Sequence, residues 1–120
     1  MSDEKSSGTE RYVPKRGDFA RVVLDPYIGR EQGGEWPVLV LSNDAFAAVT
    51  GYALVVPITG RVRGWPFEVP IEPGLRVAGV VLADQTRSVD YAARHASYLG
   101  QAPERLVNLV LERLLAIVEP

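Results

Sequence analysis

The 120-residue sequence contains no cysteine and a single histidine, and each shortage closes a chemical route. Without cysteine there is no disulfide framework and no thiolate metal site. With His95 alone, cleavage of a phosphodiester by a pair of histidines is not available within one subunit, and a lone histidine reads as a surface or packing residue. No HExxH, phosphate-loop or GxSxG motif occurs. Asp84 and Asp90 lack a third oxygen ligand close by in sequence, so neither a metal site nor any other cofactor is expected. No apolar run approaches the ~20 residues that span a bilayer, and Met1–Glu10 is polar, without the apolar segment of a signal peptide. A cytoplasmic protein with no membrane partner is expected. An excess of charge of one sign is also missing: 13 Lys and Arg oppose 15 Asp and Glu, a net charge of −2. That excludes coating nucleic acid by bulk charge but leaves room for a local basic groove.

What is present reads as one domain. The hydrophobic share of 47% and the length suit a single core. Residues 1–14, rich in Ser, Glu and Lys, read as a flexible N-terminal tail, and residues 15–120 as the domain. Five Val-rich runs of strand length, Phe19–Leu24, Val38–Leu41, Tyr52–Ile58, Phe67–Ile71 and Val77–Ala83, are separated by Gly and Pro. So many short strands predict a strongly bent sheet or small barrel. Asn43 can cap a short helix through Val49, with Gly51 as its stop, which places a helix near 43–50. A second helix is predicted near 103–118. Pro103 and Glu104 suit its first turn, and Leu106, Leu109, Val110, Leu114, Ile117 and Val118 form one stripe at 3.6-residue spacing. The class is β-rich α+β.

The motifs occur in a definite order. Arg16-Gly17-Asp18 is the turn into the first strand. The glycine-rich stretch Asp25-Pro26-Tyr27-Ile28-Gly29-Arg30-Glu31-Gln32-Gly33-Gly34 runs into Pro37-Val38-Leu39-Val40-Leu41-Ser42-Asn43-Asp44. Val56-Pro57-Ile58-Thr59 ends a strand, and Arg63-Gly64-Trp65-Pro66-Phe67-Glu68-Val69 follows a short basic turn. Leu82-Ala83-Asp84-Gln85-Thr86-Arg87-Ser88 precedes the helical end. In order and spacing, from residue 16 to about 118, these segments resemble the MazF/PemK-type toxins, the endoribonucleases (mRNA interferases) of type II toxin–antitoxin systems.

The resemblance implies an SH3-like small β-barrel of the MazF/PemK/CcdB type, paired as a homodimer. It implies sequence-specific, metal-independent cleavage of single-stranded RNA, by attack of the ribose 2′-hydroxyl on its own phosphate, leaving a 2′,3′-cyclic phosphate and a 5′-hydroxyl. RNA would lie in a groove that a cognate MazE-type antitoxin blocks. Thr59 matches the family's catalytic threonine. The family's catalytic arginine, just before the proline of the second strand, is Trp36 here, and Trp cannot supply a guanidinium fork. Three consequences stay open. The activity is reduced or lost, the tryptophan was introduced on purpose, or another arginine serves, with Arg30 nearest and Arg61 or Arg63 reaching from beyond Thr59. Trp36 could instead stack on a base, worth ~1–3 kcal/mol in single-strand binding. Tyr27 and Trp65 offer further stacking faces, and Arg61, Arg63 and Arg87 offer phosphate contacts. Glu31 and Gln32 can read base edges, and Asp84-Gln85 either lines the groove or ties down the loop. Near Ala92, where the family often carries arginine, a basic contact is absent. Two alternatives remain: a catalytically inactive RNA-binding homologue, and a gyrase-poisoning protein of the CcdB type.

Overall fold

The computed structural model describes residues 11–24 and 34–120. Seven strands and two α-helices occur among them, in the order β1 (Asp18–Val23), β2 (Glu35–Val40), α1 (Asp44–Thr50), β3 (Tyr52–Thr59), β4 (Glu68–Pro70), β5 (Val80–Leu82), β6 (Arg87–Asp90), β7 (Ser97–Gln101) and α2 (Glu104–Val118). Every strand pairing is antiparallel. The sheet runs β4-β5-β3-β2-β1-β7, and β6 also pairs with β3. The β-rich α+β class, the short helix near 43–50 and the helix near 103–118 are borne out.

Strand β3 changes partner along its length. Its first half lies against β6, from Tyr52↔Asp90 to Val55↔Arg87, and its end lies against β5, at Ile58↔Val81 and Thr59↔Val80. Its other edge holds β2 throughout Val38↔Pro57 to Val40↔Val55. Because side chains alternate across a strand, the central strands feed two cores. Phe19, Leu39, Val56, Ile58 and Val81 face α2, which buries Leu106, Val107 and Val110 against them. Ala20, Val22, Val38, Val40, Ala53, Val55 and Val89 face the other way and are covered by Ala47 of α1 and by Tyr91. The Tyr91 hydroxyl donates to the Ala47 carbonyl oxygen at 2.8 Å, which fastens the helix down.

The caps of α1 follow from its sequence. The Asn43 side chain accepts from the Phe46 N–H at 2.8 Å. Gly51, at φ +79°, donates its N–H to the Ala47 carbonyl, the left-handed ending that glycine adopts at little cost. Helix α2 departs from expectation in detail. Pro103 is its N-cap rather than part of its first turn. Leu106 and Val110 are buried as expected and Leu114 is partly so, but Val107 and Leu111 complete the packed face. Leu109 is rotated off that face, while Ile117 and Val118 are exposed because the helix outruns the surface it covers. Strands β6 and β7 fall in the stretch read only as leading to the helical end. Both are short and polar, and β7 is largely exposed along the edge of β1. The run Val77–Ala83 yields a strand only over Val80–Leu82.

Before β1, Tyr12 reaches back into the domain. Its hydroxyl donates to the Asp18 carboxylate at 2.5 Å, and the Lys15 N–H donates to the same oxygen at 3.0 Å. Asp18 is buried. Burial holds the Tyr12 phenol far above its ordinary ionisation range, and the hydrogen bond and charge of Asp18 push it the same way. Tyr12 therefore stays protonated in the folded chain, whereas in the unfolded chain it ionises near pH ~10. The stability it contributes is complete below that pH and is lost as the pH rises above it. Tyr12→Phe is expected to cost about 1.5–3 kcal/mol at neutral pH, the range for a hydrogen bond to a charged partner. Denaturant unfolding at pH 7 and at pH 11 checks this: the gap between wild type and variant should narrow at the higher pH, and a gap that widens contradicts the assignment.

Candidate nucleic-acid interface

The second core does not cover its whole sheet face. Where α1 ends, the same face continues as an open cavity of about 270 Å³ lined by Leu24, Trp36, Pro57, Leu82, Gln85 and Arg87. The lining follows from strand parity. Leu24 lies two residues beyond Val22, Trp36 two before Val38, Pro57 two beyond Val55, and Arg87 two before Val89, all on the side of the second core. Gln85 enters from a single 3-10 turn, Ala83–Gln85, between β5 and β6. The walls are apolar, and the polar groups are an amide that can donate and accept and a guanidinium that only donates.

Thr59 ends β3 on this same face by alternation. Its hydroxyl oxygen accepts from the Arg61 N–H at 3.1 Å, and its hydroxyl hydrogen has no acceptor among the described residues. Its backbone is closely covered: a Cβ on Gly79 would lie 2.2 Å from the Thr59 carbonyl oxygen, and Gly79 sits at φ +120°. Only glycine allows β5 to start that close to the end of β3.

The expected site residues fall into three groups. Trp36, Gln85 and Arg87 meet in the cavity, and Thr59 lies at the end of the strand that supplies Pro57. Arg61, Arg63 and Trp65 belong to the exposed loop between β3 and β4. Within it the Arg63 guanidinium lies 5.0 Å over the Trp65 ring. Tyr27, Arg30, Glu31 and Gln32 lie outside the described residues. The two residues that flank their segment are joined at the cavity wall, where the Leu24 N–H donates to the Gly34 carbonyl oxygen at 2.6 Å. His95 is an exposed turn residue at φ +54°, and Asp90 caps a local turn by accepting from the Ala93 N–H at 3.0 Å. The apolar walls Leu24, Pro57 and Leu82 were not singled out from the sequence, although the alternation of their strands carried the signal. Glu68 was not singled out either; an acid inside an apolar run, Phe67-Glu68-Val69, was its signal.

Fold and cavity together describe a small antiparallel-sheet domain with an open groove of mixed polarity. The family model described as the PemK-like, MazF-like toxin of type II toxin–antitoxin systems matches residues 15–118. The endoribonuclease toxin MazF of Escherichia coli K12 is 45% identical over 97 residues, covering 80% of this chain and 86% of that protein. A crystal structure of MazF from Deinococcus radiodurans superposes with a TM-score of 0.83 at 41% identity, covering 92% of this chain and all of that one. MazF in a MazE–MazF crystal structure from the same organism gives 0.81 at 38% identity, covering 91% of this chain and 98% of that one. The chain belongs to the PemK-like, MazF-like toxin family. The resemblance drawn from the motifs is borne out, the fold is that of MazF, and the expected enzyme class is the one its relatives carry.

Gly79 gives a direct test of this geometry. Gly79→Ala is expected to cost on the order of 1–3 kcal/mol, the scale of one strained backbone position, with a lower denaturant midpoint and an unchanged slope. Gly60→Ala, where a Cβ meets nothing within 4 Å, is the control. Equal stability of the two variants would show that the contact with Thr59 is not tight.

Proposed function

We propose that the chain is a toxin endoribonuclease that acts as a homodimer on single-stranded RNA without a metal ion, and that a cognate MazE-type antitoxin neutralises it. The observation that carries this reading is the placement of a donor-capable Thr59 on the same sheet face as the Trp36–Gln85–Arg87 cavity. In the reaction the ribose 2′-oxygen attacks the adjacent phosphorus and gives up its proton. The bond from phosphorus to the 5′-oxygen breaks, and that oxygen takes up a proton. The products are a 2′,3′-cyclic phosphate and a 5′-hydroxyl. Negative charge builds on the non-bridging oxygens, and preorganised donors stabilise it. Thr59 donates its hydroxyl to one of these oxygens. Trp36 offers no charge, so the cation must come from elsewhere. Arg87 lines the cavity, whereas Arg63 is stacked on Trp65; Arg87 is therefore the described arginine best placed to serve, with Arg30 as the candidate from the loop.

Gln85 supplies both donors and an acceptor for the Watson–Crick edge of an unpaired base, and Trp36 supplies a stacking face. A MazE–MazF structure exists for the Deinococcus relative, which supports an antitoxin partner here. The reading places one catalytic domain, residues 15–120, in the cytoplasm with its RNA. The apolar wall that Trp36 adds to the cavity favours one second reading, an RNA-binding homologue that does not cut.

Digestion of a long RNA with end mapping, in the presence of a chelator, separates the readings. The wild-type chain is expected to cut at a short recurring sequence and to leave 5′-hydroxyl ends. Thr59→Val is expected to slow cutting by about 10²–10³, the usual effect of removing one oxyanion donor, and Trp36→Arg to speed it. RNA that binds but stays whole with both the wild type and Trp36→Arg would refute the enzyme reading. Binding to gyrase with no effect on RNA would point to the CcdB type of action.

A further inference from the structure

Glu68 is a buried carboxylate for which the reaction above has no use. It lies in β4 directly across from Leu82, a wall of the cavity. One of its oxygens accepts from the Arg63 N–H at 3.1 Å and from the Gly64 N–H at 2.8 Å, and the other also accepts from the Arg63 N–H at 3.1 Å. Gly64 is at φ +77°, so two successive N–H groups converge on one anion. Such a backbone nest ordinarily receives a phosphate or another external anion; here the chain's own carboxylate fills it.

The loop is fastened at other points as well. The Glu68 N–H donates to the Trp65 carbonyl oxygen at 3.1 Å, and the Ala83 N–H donates to that of Phe67 at 3.0 Å. Arg113 of α2 donates to the Pro66 carbonyl at 2.5 Å. The backbone from Arg63 to Glu68 is thus held, while the side chains of Arg63 and Trp65 face solvent. Trp65 is 54% exposed, and the Arg63 guanidinium lies over its ring. An exposed cation–π pair on a held loop has lost its conformational freedom before any ligand arrives, which lowers the cost of binding.

We propose that Glu68 is a positioning residue whose carboxylate presents Arg63 and Trp65 as a preformed clamp on the RNA strand. The guanidinium takes a backbone phosphate and the indole takes a base, beside the cavity where the strand is cut. RNA as the ligand rests on the function proposed above; the ordering of the loop by Glu68 does not.

Two measurements test this. In a Trp36→Phe background Trp65 is the single tryptophan, since the sequence has two, and acrylamide quenching reports how firmly its loop is held. Glu68→Ala is expected to increase quenching, and Glu68→Gln, which keeps one acceptor oxygen, to increase it less. With Trp36 in place, Glu68→Ala is expected to raise KM for RNA about tenfold, the scale of losing one stacking or phosphate contact, with kcat nearly unchanged. Trp65→Ala, which leaves the buried carboxylate alone, is expected to raise KM to a similar extent, and it keeps the test open should Glu68→Ala fail to fold. Unchanged quenching in Glu68→Ala, a loss confined to kcat, or unchanged KM in Trp65→Ala each overturns the clamp. A wild-type chain that neither binds nor cuts RNA instead overturns the proposed function, and with it RNA as the clamp's ligand, while the quenching comparison still decides whether Glu68 orders the loop.

Discussion

The two cores and the groove all depend on the register of β3. Alternate residues of this strand go to opposite faces: Val56 and Ile58 to the core under α2, Ala53 and Val55 to the core under α1. Pro57 and Thr59 continue the second series past the end of α1; Pro57 lines the groove, and Thr59 follows on the same face by alternation. A slip of one residue would exchange the cores and turn Thr59 away from the cavity. Burial on both faces makes that slip costly, because residues 55–58 are all buried. Pro57 brings no N–H to the ladder. It falls in the interval where β3 leaves β6 and takes up β5, so the missing donor coincides with a change of partner and not with the middle of a continuous pairing.

Charge at the groove is a local matter. The whole chain is slightly acidic, yet Arg61, Arg63 and Arg87 come to the end of the molecule where β3 finishes and β6 begins. Arg87 stands among Leu24, Trp36, Pro57 and Leu82, and apolar neighbours lower the local dielectric, so a single guanidinium acts more strongly on a phosphate there than on an open surface. The same walls would make a second, unpaired cation expensive to desolvate. Trp36 adds an aromatic face and no charge to the cavity, which in the proposed function leaves phosphate contacts to fewer groups.

The parts of this arrangement that were legible in the sequence are those fixed by local chemistry. Asn43 and Gly51 mark the ends of α1, because a side-chain acceptor and a left-handed glycine are needed there whatever the tertiary context. The Val-rich runs mark β1, β2 and β3, whose apolar character reflects burial. Strands β6 and β7 were not legible. Arg87-Ser88-Val89-Asp90 becomes a strand because the free edge of β3 is there to pair with, and Ser97–Gln101 because β1 has a free edge; their own residues carry little strand preference. Trp36, Gln85 and Arg87 were each picked out by motif, but their meeting in one cavity needed the register. Glu68 interrupts an apolar run, yet its role was not legible, because the backbone N–H groups it accepts from are brought to it by the fold of the loop and not by neighbouring residue types.

Backbone groups also hold other parts of the candidate site. Thr59 is held through backbone contacts: its hydroxyl by the Arg61 N–H, its carbonyl by the close approach of Gly79. The β3–β4 loop is likewise held by N–H groups closing on Glu68. In the proposed reaction, donors fixed in this way need no reorganisation when charge develops on the phosphate, which is the condition under which electrostatic stabilisation is most effective. A strand end, a glycine and a buried carboxylate set the positions; in the proposed function the arginines and tryptophans around them meet the RNA.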